Sequence, residues 1–65
     1  MSEPISVIVP TYNEKDNLSP LLERISKALS GEKYEVLIVD DSSRDGTAVE
    51  AKSLSNKYPV QVIVR

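Results

Sequence analysis

Cysteine and histidine are both absent from this sequence of 65 residues. Without them the chain can form no disulfide and can offer no thiolate or imidazole ligand to a metal. The same absences exclude a Ser-His or Cys-His nucleophilic pair and a zinc-hydrolase site within this chain. Domains this small usually depend on disulfides, a structural metal, tight helical packing or oligomerisation. We therefore expect this chain to gain its stability from packing or from association.

Positive charge and long apolar segments are also scarce. The net charge is −2 and the pI is about 4.9, so the chain lacks the basic surface that nucleic-acid phosphate requires. No apolar run approaches the roughly 20 residues that a membrane-spanning helix needs. The first four residues, Met1 to Pro4, precede no long apolar region, so they do not form a secretory signal. These features are compatible with a cytoplasmic location.

Three short segments rich in β-branched residues lie at 5–9, 35–39 and 60–64. The first two are nearly continuous in apolar residues, which is typical of parallel strands covered on both faces. Two helices are predicted between them. The apolar stripe of the first helix comprises Leu18, Leu21, Leu22, Ile25 and Leu29. That of the second comprises Ala51, Leu54 and Tyr58.

The helix ends carry recognisable signals. Asp16 or Asn17 is placed to cap the first helix, with Pro20 in its first turn and Gly31 beyond its end. A capping box, T-x-x-E, begins the second helix at Thr47. The order strand, helix, strand, helix, strand requires right-handed crossovers. The predicted fold is therefore α/β, a βαβαβ half of a Rossmann-like fold with parallel sheet order 3-2-1.

Function in such a sheet is expected beyond the carboxyl ends of the strands, where two polar loops lie. The first loop contains no glycine, which excludes the G-x-G-x-x-G and Walker loops that cradle phosphates. It offers Tyr12 and Glu14, and the second loop offers Asp40 and Asp41. Tyr12 could stack on a base, and an ionised Asp could accept the ring N–H of uracil or guanine.

Structural explanations compete with each of these assignments. Pro10 could simply end the first strand, Tyr12 could anchor a loop, and Glu14 could favour a helix N-terminus. In the second loop three residues have mainly structural interpretations: Ser42, Arg44 and Asp45. The adjacent pair Asp40 and Asp41 is harder to explain in this way. Adjacent carboxylates repel each other and need hydrogen-bond donors or a cation.

At these two loops the sequence resembles the family 2 glycosyltransferases of the GT-A fold. The similarity is carried by V-I-V-P-T-Y-N-E at 7–14 and by Y-E-V-L-I-V-D-D-S-S-R-D-G-T at 34–47. Within that family the sequence is most similar to the dolichol-phosphate mannose synthases. The resemblance covers essentially the whole chain.

The resemblance implies a nucleotide-binding site formed by Pro10, Tyr12, Glu14, Val39, Asp40 and Asp41. In this interpretation Asp41 hydrogen-bonds the base, Asp40 supports the loop or approaches the ribose, and Val39 lies beneath the base. No residue of this chain is expected to be catalytic or to bind a metal. The divalent cation, Mg²⁺ or Mn²⁺, is expected to be held by a D-x-D motif that this chain does not contain.

The implied reaction transfers mannose from GDP-mannose to a polyprenyl phosphate acceptor, dolichyl phosphate, with inversion at the anomeric carbon. We therefore expect residues 1–65 to be the N-terminal nucleotide-binding portion of an incomplete glycosyltransferase domain, inactive by itself. The parent enzyme is expected to act in the cytoplasm or at the cytoplasmic face of a membrane.

Three alternatives remain open at this point. The donor could be a UDP-sugar, used for polyprenyl-phosphate glucosyl or N-acetylhexosaminyl transfer, because an Asp acceptor serves uracil as well as guanine. The chain could instead be a non-catalytic module that binds Mg²⁺ or accepts a phosphoryl group. It could also act in assembly, because the exposed edges of a half-sheet favour self-association.

Overall fold

The structure is a computed structural model that describes residues 3–65, and the first two residues of the N-terminal segment considered above lie outside this range. Five elements follow one another in the predicted order. They are β1 (Ile5–Thr11), α1 (Lys15–Ala28), β2 (Tyr34–Asp40), α2 (Thr47–Leu54) and β3 (Val60–Val64). The prediction of an α/β chain is confirmed.

The three strands form one parallel sheet in the order β1-β2-β3. This order is the predicted 3-2-1 order seen from the other edge, so that prediction is also confirmed. The strand β2 is central, with Thr11 of β1 and Val64 of β3 on either side of Asp40. The carboxyl ends of all three strands therefore meet at one edge, which we call the carboxyl edge.

Both helices pack on the same face of the sheet, because two right-handed crossovers in the same direction return the chain to the same side. Between the helices and the sheet lies a single core. Its buried members are Leu18, Leu22, Val36, Ile38, Ala51, Tyr58 and Val60. Leu18, Leu22 and Ala51 come from the apolar stripes predicted for the two helices, whereas Tyr58, predicted in the second stripe, lies beyond the end of α2 at Leu54. In α1 only Leu18 and Leu22 are fully buried, and Ile25 packs at the margin.

The opposite face of the sheet is not covered by any of residues 3–65. Ile8 is 58% exposed and Ile63 is 50% exposed, and Leu37 between them is half-buried. The expectation that the first two strands are covered on both faces is therefore wrong for the described residues. The apolar runs were interpreted correctly as strands, but order β1-β2-β3 places every helix of this segment on one side.

The start of α1 differs from its prediction. The helix begins at Lys15 with Glu14 as the flanking residue, so Asp16 and Asn17 lie within the first turn and cap nothing. Pro20 lies beyond that first turn, on an exposed side of the helix. The physical reason is tertiary: the first free N–H of the helix, on Lys15, donates to Asp45 of the second loop. The sequence around the helix could not indicate a cap that comes from another loop.

The start of α2 also differs. Gly46, with φ of 89°, is the flanking residue, and Thr47 is the first residue of the helix instead of its cap. The predicted capping box is therefore wrong. Its place is taken by Asp45, which accepts a hydrogen bond from the N–H of Thr47 at 3.0 Å. Gly31 has φ of 86°, so the prediction of a left-handed glycine after α1 is correct.

Pro10 does not end the first strand, because β1 continues to Thr11. The position is tolerated because β1 lies at the edge of the three-stranded sheet, where one side of the strand has no partner among the described residues. A proline in an edge strand sacrifices no ladder hydrogen bond when its nitrogen faces that side. The structural explanation of Pro10 as a strand terminator is therefore excluded.

Candidate functional site

The two polar loops meet at the carboxyl edge, as the topology requires. The N–H of Asp41 donates to the carbonyl oxygen of Thr11 at 2.9 Å, so the pairing of β1 and β2 extends one residue into the loops. The six residues predicted to bind a nucleotide all lie at this edge or at the start of α1: Pro10, Tyr12, Glu14, Val39, Asp40 and Asp41. The structure thus brings together residues that are far apart in sequence.

Asp40 is the last residue of β2 and is only 1% exposed. Its Oδ1 accepts hydrogen bonds from the hydroxyls of Thr11, at 2.8 Å, and Ser43, and its Oδ2 accepts the N–H of Ser43 at 2.9 Å. We call Thr11, Asp40 and Ser43 the floor. Burial raises the pKa of Asp40, but the hydrogen bonds from Ser43 and Thr11 outweigh it and lower this pKa below its ordinary value. The hydrogen-bond donors of the floor therefore favour the ionised form of this carboxylate.

Tyr12 and Asp41 directly follow Thr11 and Asp40 in the sequence, and we call this pair the rim. Tyr12 is 59% exposed, and Asp41 is also exposed. It is the backbone N–H of Asp41, and not its carboxylate, that bonds to the first loop. The carboxylate is therefore free to accept hydrogen bonds from a ligand, and the phenol ring of Tyr12 is free to stack on one.

Pro10 and Val39 are cross-strand partners in the sheet register. They lie on the face of the sheet without helices, where Pro10 is exposed and Val39 is half-buried. Together they supply a small apolar surface next to the rim. Such a surface suits a flat, weakly polar group such as a base.

Glu14 is already engaged in the start of α1. Its Oε2 accepts a hydrogen bond from the side-chain amide of Asn17 at 3.0 Å, and its backbone N–H donates to the hydroxyl of Thr47 at 3.0 Å. These contacts agree with the structural explanation of Glu14 at a helix N-terminus. Its second carboxylate oxygen remains available, so the prediction that Glu14 lines the nucleotide site stays a prediction.

A set of hydrogen bonds joins the two loops through residues to which the sequence assigned no function. The N–H of Asn13 donates to the hydroxyl of Ser43 at 2.6 Å, and the Oδ1 of Asn13 accepts the N–H of Arg44 at 2.9 Å. Asn13 has φ of 52°, in the left-handed region that asparagine tolerates better than most residues. The only feature of the sequence that could have indicated these contacts was an asparagine shortly after a strand, and many turns share that feature.

Asp45 completes the connection between the loops. One carboxylate oxygen accepts both the N–H and the hydroxyl of Thr47, and the other accepts the N–H of Lys15 at 3.2 Å. The hydrogen bond from the Thr47 hydroxyl lowers the pKa of Asp45, partial desolvation opposes this, and the backbone N–H groups of Lys15, Thr47 and Asp45 itself add to the lowering. A single carboxylate therefore caps both helices. The structural interpretation of Asp45 agrees with this geometry.

Ser42 has a more distant partner than expected. Its φ is 52°, and its hydroxyl donates to the carbonyl oxygen of Arg65 at the end of β3. The N–H of Arg65 in turn donates to the carbonyl oxygen of Asp40 at 2.8 Å. Arg44 is exposed, in agreement with a solvated loop charge. The second loop is thus held by β3 as well as by the first loop.

A divalent cation does not fit the acidic residues of this edge. Within residues 3–65 no group of three or more acidic side chains is arranged to hold a metal ion. Both carboxylate oxygens of Asp40 accept hydrogen bonds from Thr11 and Ser43, so the pair with Asp41 offers no joint site. The repulsion between these adjacent carboxylates is relieved by hydrogen-bond donors.

A parallel β-α-β-α-β sheet with both helices on one face and polar loops at one edge is the arrangement of one half of a doubly wound, Rossmann-like α/β fold. Its edge carries an aromatic and acidic rim in place of a glycine-rich phosphate loop. The family model "Glycosyl transferase family 2" matches residues 6–65. The chain belongs to this family, as the resemblance indicated, and its fold is a part of the GT-A fold.

Two curated relatives agree with this assignment. A protein of Pyrococcus furiosus named dolichol-phosphate mannosyltransferase is 56% identical over 61 residues, which is 94% of this chain and 17% of that protein. The dolichol-phosphate mannosyltransferase of Saccharomyces cerevisiae is 45% identical over a 69-residue alignment, covering 100% of this chain and 26% of that protein. The chain thus spans about a sixth to a quarter of the length of these relatives.

Two further observations bear on the parent protein. Family 2 glycosyltransferases generally use a divalent cation, which the described part of this chain is not built to hold. Neither helix within residues 3–65 has the length and apolarity needed to cross a bilayer.

Proposed function

We propose that this chain is the nucleotide-sugar-binding part of a glycosyltransferase that transfers mannose from GDP-mannose to dolichyl phosphate. Family membership and the names of the two relatives support the class of reaction and the acceptor. The observation that supports a nucleotide site at this edge is the difference in environment between the adjacent carboxylates of Asp40 and Asp41. Both carboxylate oxygens of Asp40 accept hydrogen bonds within the protein, whereas the Asp41 side chain is exposed, as is that of Tyr12.

In the proposed complex the base of the nucleotide lies at the rim. The ring of Tyr12 stacks on the base, and Pro10 and Val39 offer apolar contact from the sheet. The carboxylate of Asp41 has two acceptor oxygens, and guanine presents two neighbouring donors, its ring N–H and its exocyclic amino group. One carboxylate can therefore accept both, which makes the pair well suited to guanine.

In the transfer itself, a phosphate oxygen of the acceptor attacks the anomeric carbon of mannose while the bond from that carbon to the diphosphate breaks. GDP leaves, and the configuration at the anomeric carbon is inverted. Because the acceptor is already anionic, no general base is required. A divalent cation, bound by residues outside this chain, would supply positive charge to the departing diphosphate. The proposed location of the parent enzyme is the cytoplasm or the cytoplasmic face of a membrane.

Calorimetric titration of the protein with GDP tests this function. We expect the wild type to bind, and we expect Asp41→Ala and Tyr12→Ala each to weaken binding by about tenfold or more, since each removes a contact of about 1–3 kcal/mol. Asp16→Ala is a matched control, because Asp16 is an exposed carboxylate in the first turn of α1. Unchanged affinity in both rim variants would remove the proposed roles.

The same titration with UDP separates the two donor classes. Uracil offers one ring N–H between two carbonyl groups, so it can give Asp41 one hydrogen bond where guanine gives two. Tighter binding of GDP than of UDP is therefore expected, and Asp41→Ala should reduce this preference. Preference for UDP would favour the alternative of polyprenyl-phosphate glucosyl or N-acetylhexosaminyl transfer.

A further inference from the structure

The residues on both sides of Tyr12 are fixed to the second loop. Before it, the carbonyl oxygen of Thr11 accepts the N–H of Asp41 at 2.9 Å. After it, Asn13 exchanges two hydrogen bonds with the second loop, donating to the Ser43 hydroxyl and accepting the N–H of Arg44. The backbone at Tyr12 is therefore held close to the second loop from both sides.

The contacts continue into the start of α1. Three consecutive backbone N–H groups, at positions 13, 14 and 15, donate to side chains of the second loop or the start of α2. The acceptors are the hydroxyl of Ser43, the hydroxyl of Thr47 and the carboxylate of Asp45. We call these three bonds, together with the bond from the Arg44 N–H to Asn13, the loop clamp.

We propose that Asn13 and Asp45 are positioning residues that hold Tyr12 and Asp41 in one relative arrangement through the loop clamp. This inference rests on the proposed function, because it concerns the same nucleotide site. Neither side chain needs to touch the nucleotide. Asn13 holds the residue after Tyr12, and Asp45 holds the N-termini of α1 and α2 together.

The consequence for binding follows from preorganisation. A base that stacks on Tyr12 and bonds to Asp41 at the same time requires both groups in one geometry. If the rim is mobile before binding, the ligand has to order it, and affinity falls by the cost of that ordering. A clamp made of backbone N–H groups removes this cost before the ligand arrives, because the backbone is fixed in the free protein.

Substitutions of Asn13 and Asp45 can remove hydrogen bonds of the loop clamp while changing little else at these positions. Asn13→Gly removes the oxygen that accepts the Arg44 N–H, yet glycine adopts the φ of 52° without strain. Asn13→Asp keeps an acceptor at that position and serves as the rescuing variant. Asp45→Asn leaves one acceptor oxygen where the carboxylate uses two, so one of its two helix contacts is lost.

Asp16→Asn is the matched control for Asp45→Asn. It makes the same change in charge at an exposed position in the first turn of α1, next to Lys15. Its side chain is not part of the loop clamp. Any effect of Asp45→Asn that arises only from the charge of the chain should therefore appear in this control as well.

The first measurement is made without a ligand. Nitrogen-15 relaxation gives the backbone order parameter of Tyr12, at a temperature at which circular dichroism shows every variant to be folded. We expect a value near 0.85 in the wild type, Asn13→Asp and Asp16→Asn, as for a rigid backbone. We expect a value below about 0.6 in Asn13→Gly, and an intermediate value in Asp45→Asn. An unchanged value in both clamp variants would overturn the proposal.

The second measurement is the GDP titration of the same proteins. Asn13→Gly and Asp45→Asn should weaken binding by about tenfold, and Asn13→Asp and Asp16→Asn should bind as the wild type does. Wild-type affinity in both clamp variants would show that the clamp does not position the rim. A wild type that fails to bind GDP would instead remove the proposed function, while the order parameters would still decide whether the clamp holds Tyr12.

Discussion

The floor and the rim of the carboxyl edge consist of neighbouring residues in opposite environments. Asp40, in the floor, is 1% exposed and has both carboxylate oxygens in hydrogen bonds to Thr11 and Ser43. Asp41, in the rim, is exposed and bonds to the protein through its backbone N–H. Asp40 is the last residue of β2 and shares the strand face of the buried Val36 and Ile38, whereas Asp41 is the first residue after the strand.

This difference separates stability from binding. A buried carboxylate that satisfies three donors holds two strands and a loop together, and removing it leaves those donors without partners. An exposed carboxylate contributes little to the free energy of folding, and it remains accessible to a ligand. The two adjacent aspartates are therefore expected to respond to the same substitution in different ways.

The largest effect is expected from Asp40→Ala. The hydroxyl of Thr11 and the N–H of Ser43 would lose their acceptor in a site that excludes most solvent. We expect a loss of about 3 kcal/mol in the free energy of unfolding, measured by urea titration followed by circular dichroism. Asp16→Ala should change this free energy by less than about 0.5 kcal/mol. Equal stability of both variants would show that the floor does not support the fold.

Asp41→Ala tests the other side of the comparison. We expect its unfolding free energy to stay within about 0.5 kcal/mol of the wild type, because no buried donor loses a partner. Its affinity for GDP should fall by about tenfold or more. Urea titration and calorimetry on the same preparation measure both quantities. A large loss of stability in this variant would show that the rim, like the floor, supports the fold.

Thr11→Val has a smaller expected effect. It nearly preserves the shape of the side chain but removes the hydroxyl that donates to Asp40 at 2.8 Å. We expect a loss of about 1 kcal/mol in unfolding free energy, together with a rise in the pKa of Asp40. Carbon-13 NMR titration of the Asp40 carboxyl measures the pKa. In Thr11→Ser, which keeps the donor, this pKa should stay low even if the lost methyl group reduces stability.

The dependence of stability on pH should show the smallest effect. The folded pKa of Asp40 lies below the ordinary value of 3.8, so its contribution is fully present above that value and is lost as the pH falls through the folded pKa. Asp45, whose pKa is also lowered, acts in the same direction. Thermal melts between about pH 5 and 2 should therefore show a shallower decline for Asp40→Asn than for the wild type. Parallel curves would contradict this assignment.

The sequence predicted the strands, the helices, the sheet order and the edge that carries the polar loops. These features depend on local patterns, such as the β-branched run at 35–39 and the apolar stripe through Leu18 and Leu22, and on the handedness of crossovers. The pair Asp40 and Asp41 was recognised as unusual because neighbouring carboxylates need compensation. Local chemistry was sufficient for these conclusions.

The capping residues could not be predicted in the same way. The acceptor for the N–H of Lys15 is Asp45, which lies 30 residues away. Similarly, nothing near Asn13 in the sequence indicates that it exchanges hydrogen bonds with Ser43 and Arg44. The uncovered face of the sheet is different, because it follows from the predicted strand order and crossover handedness, whereas the apolar runs considered alone indicated cover on both faces.

The separation in sequence between the partners at this edge has a consequence for folding. The side-chain hydrogen bonds between the first loop and the second loop or the start of α2 join residues 29 to 33 positions apart. Contacts this distant form only after the ends of a long loop have been brought together, so they belong to the slow part of assembly. A partly folded chain with one strand and one helix contains neither floor nor clamp. A ligand at the rim would therefore stabilise only the chain in which β1 and β2 are already paired, and its binding would report that this pairing has formed.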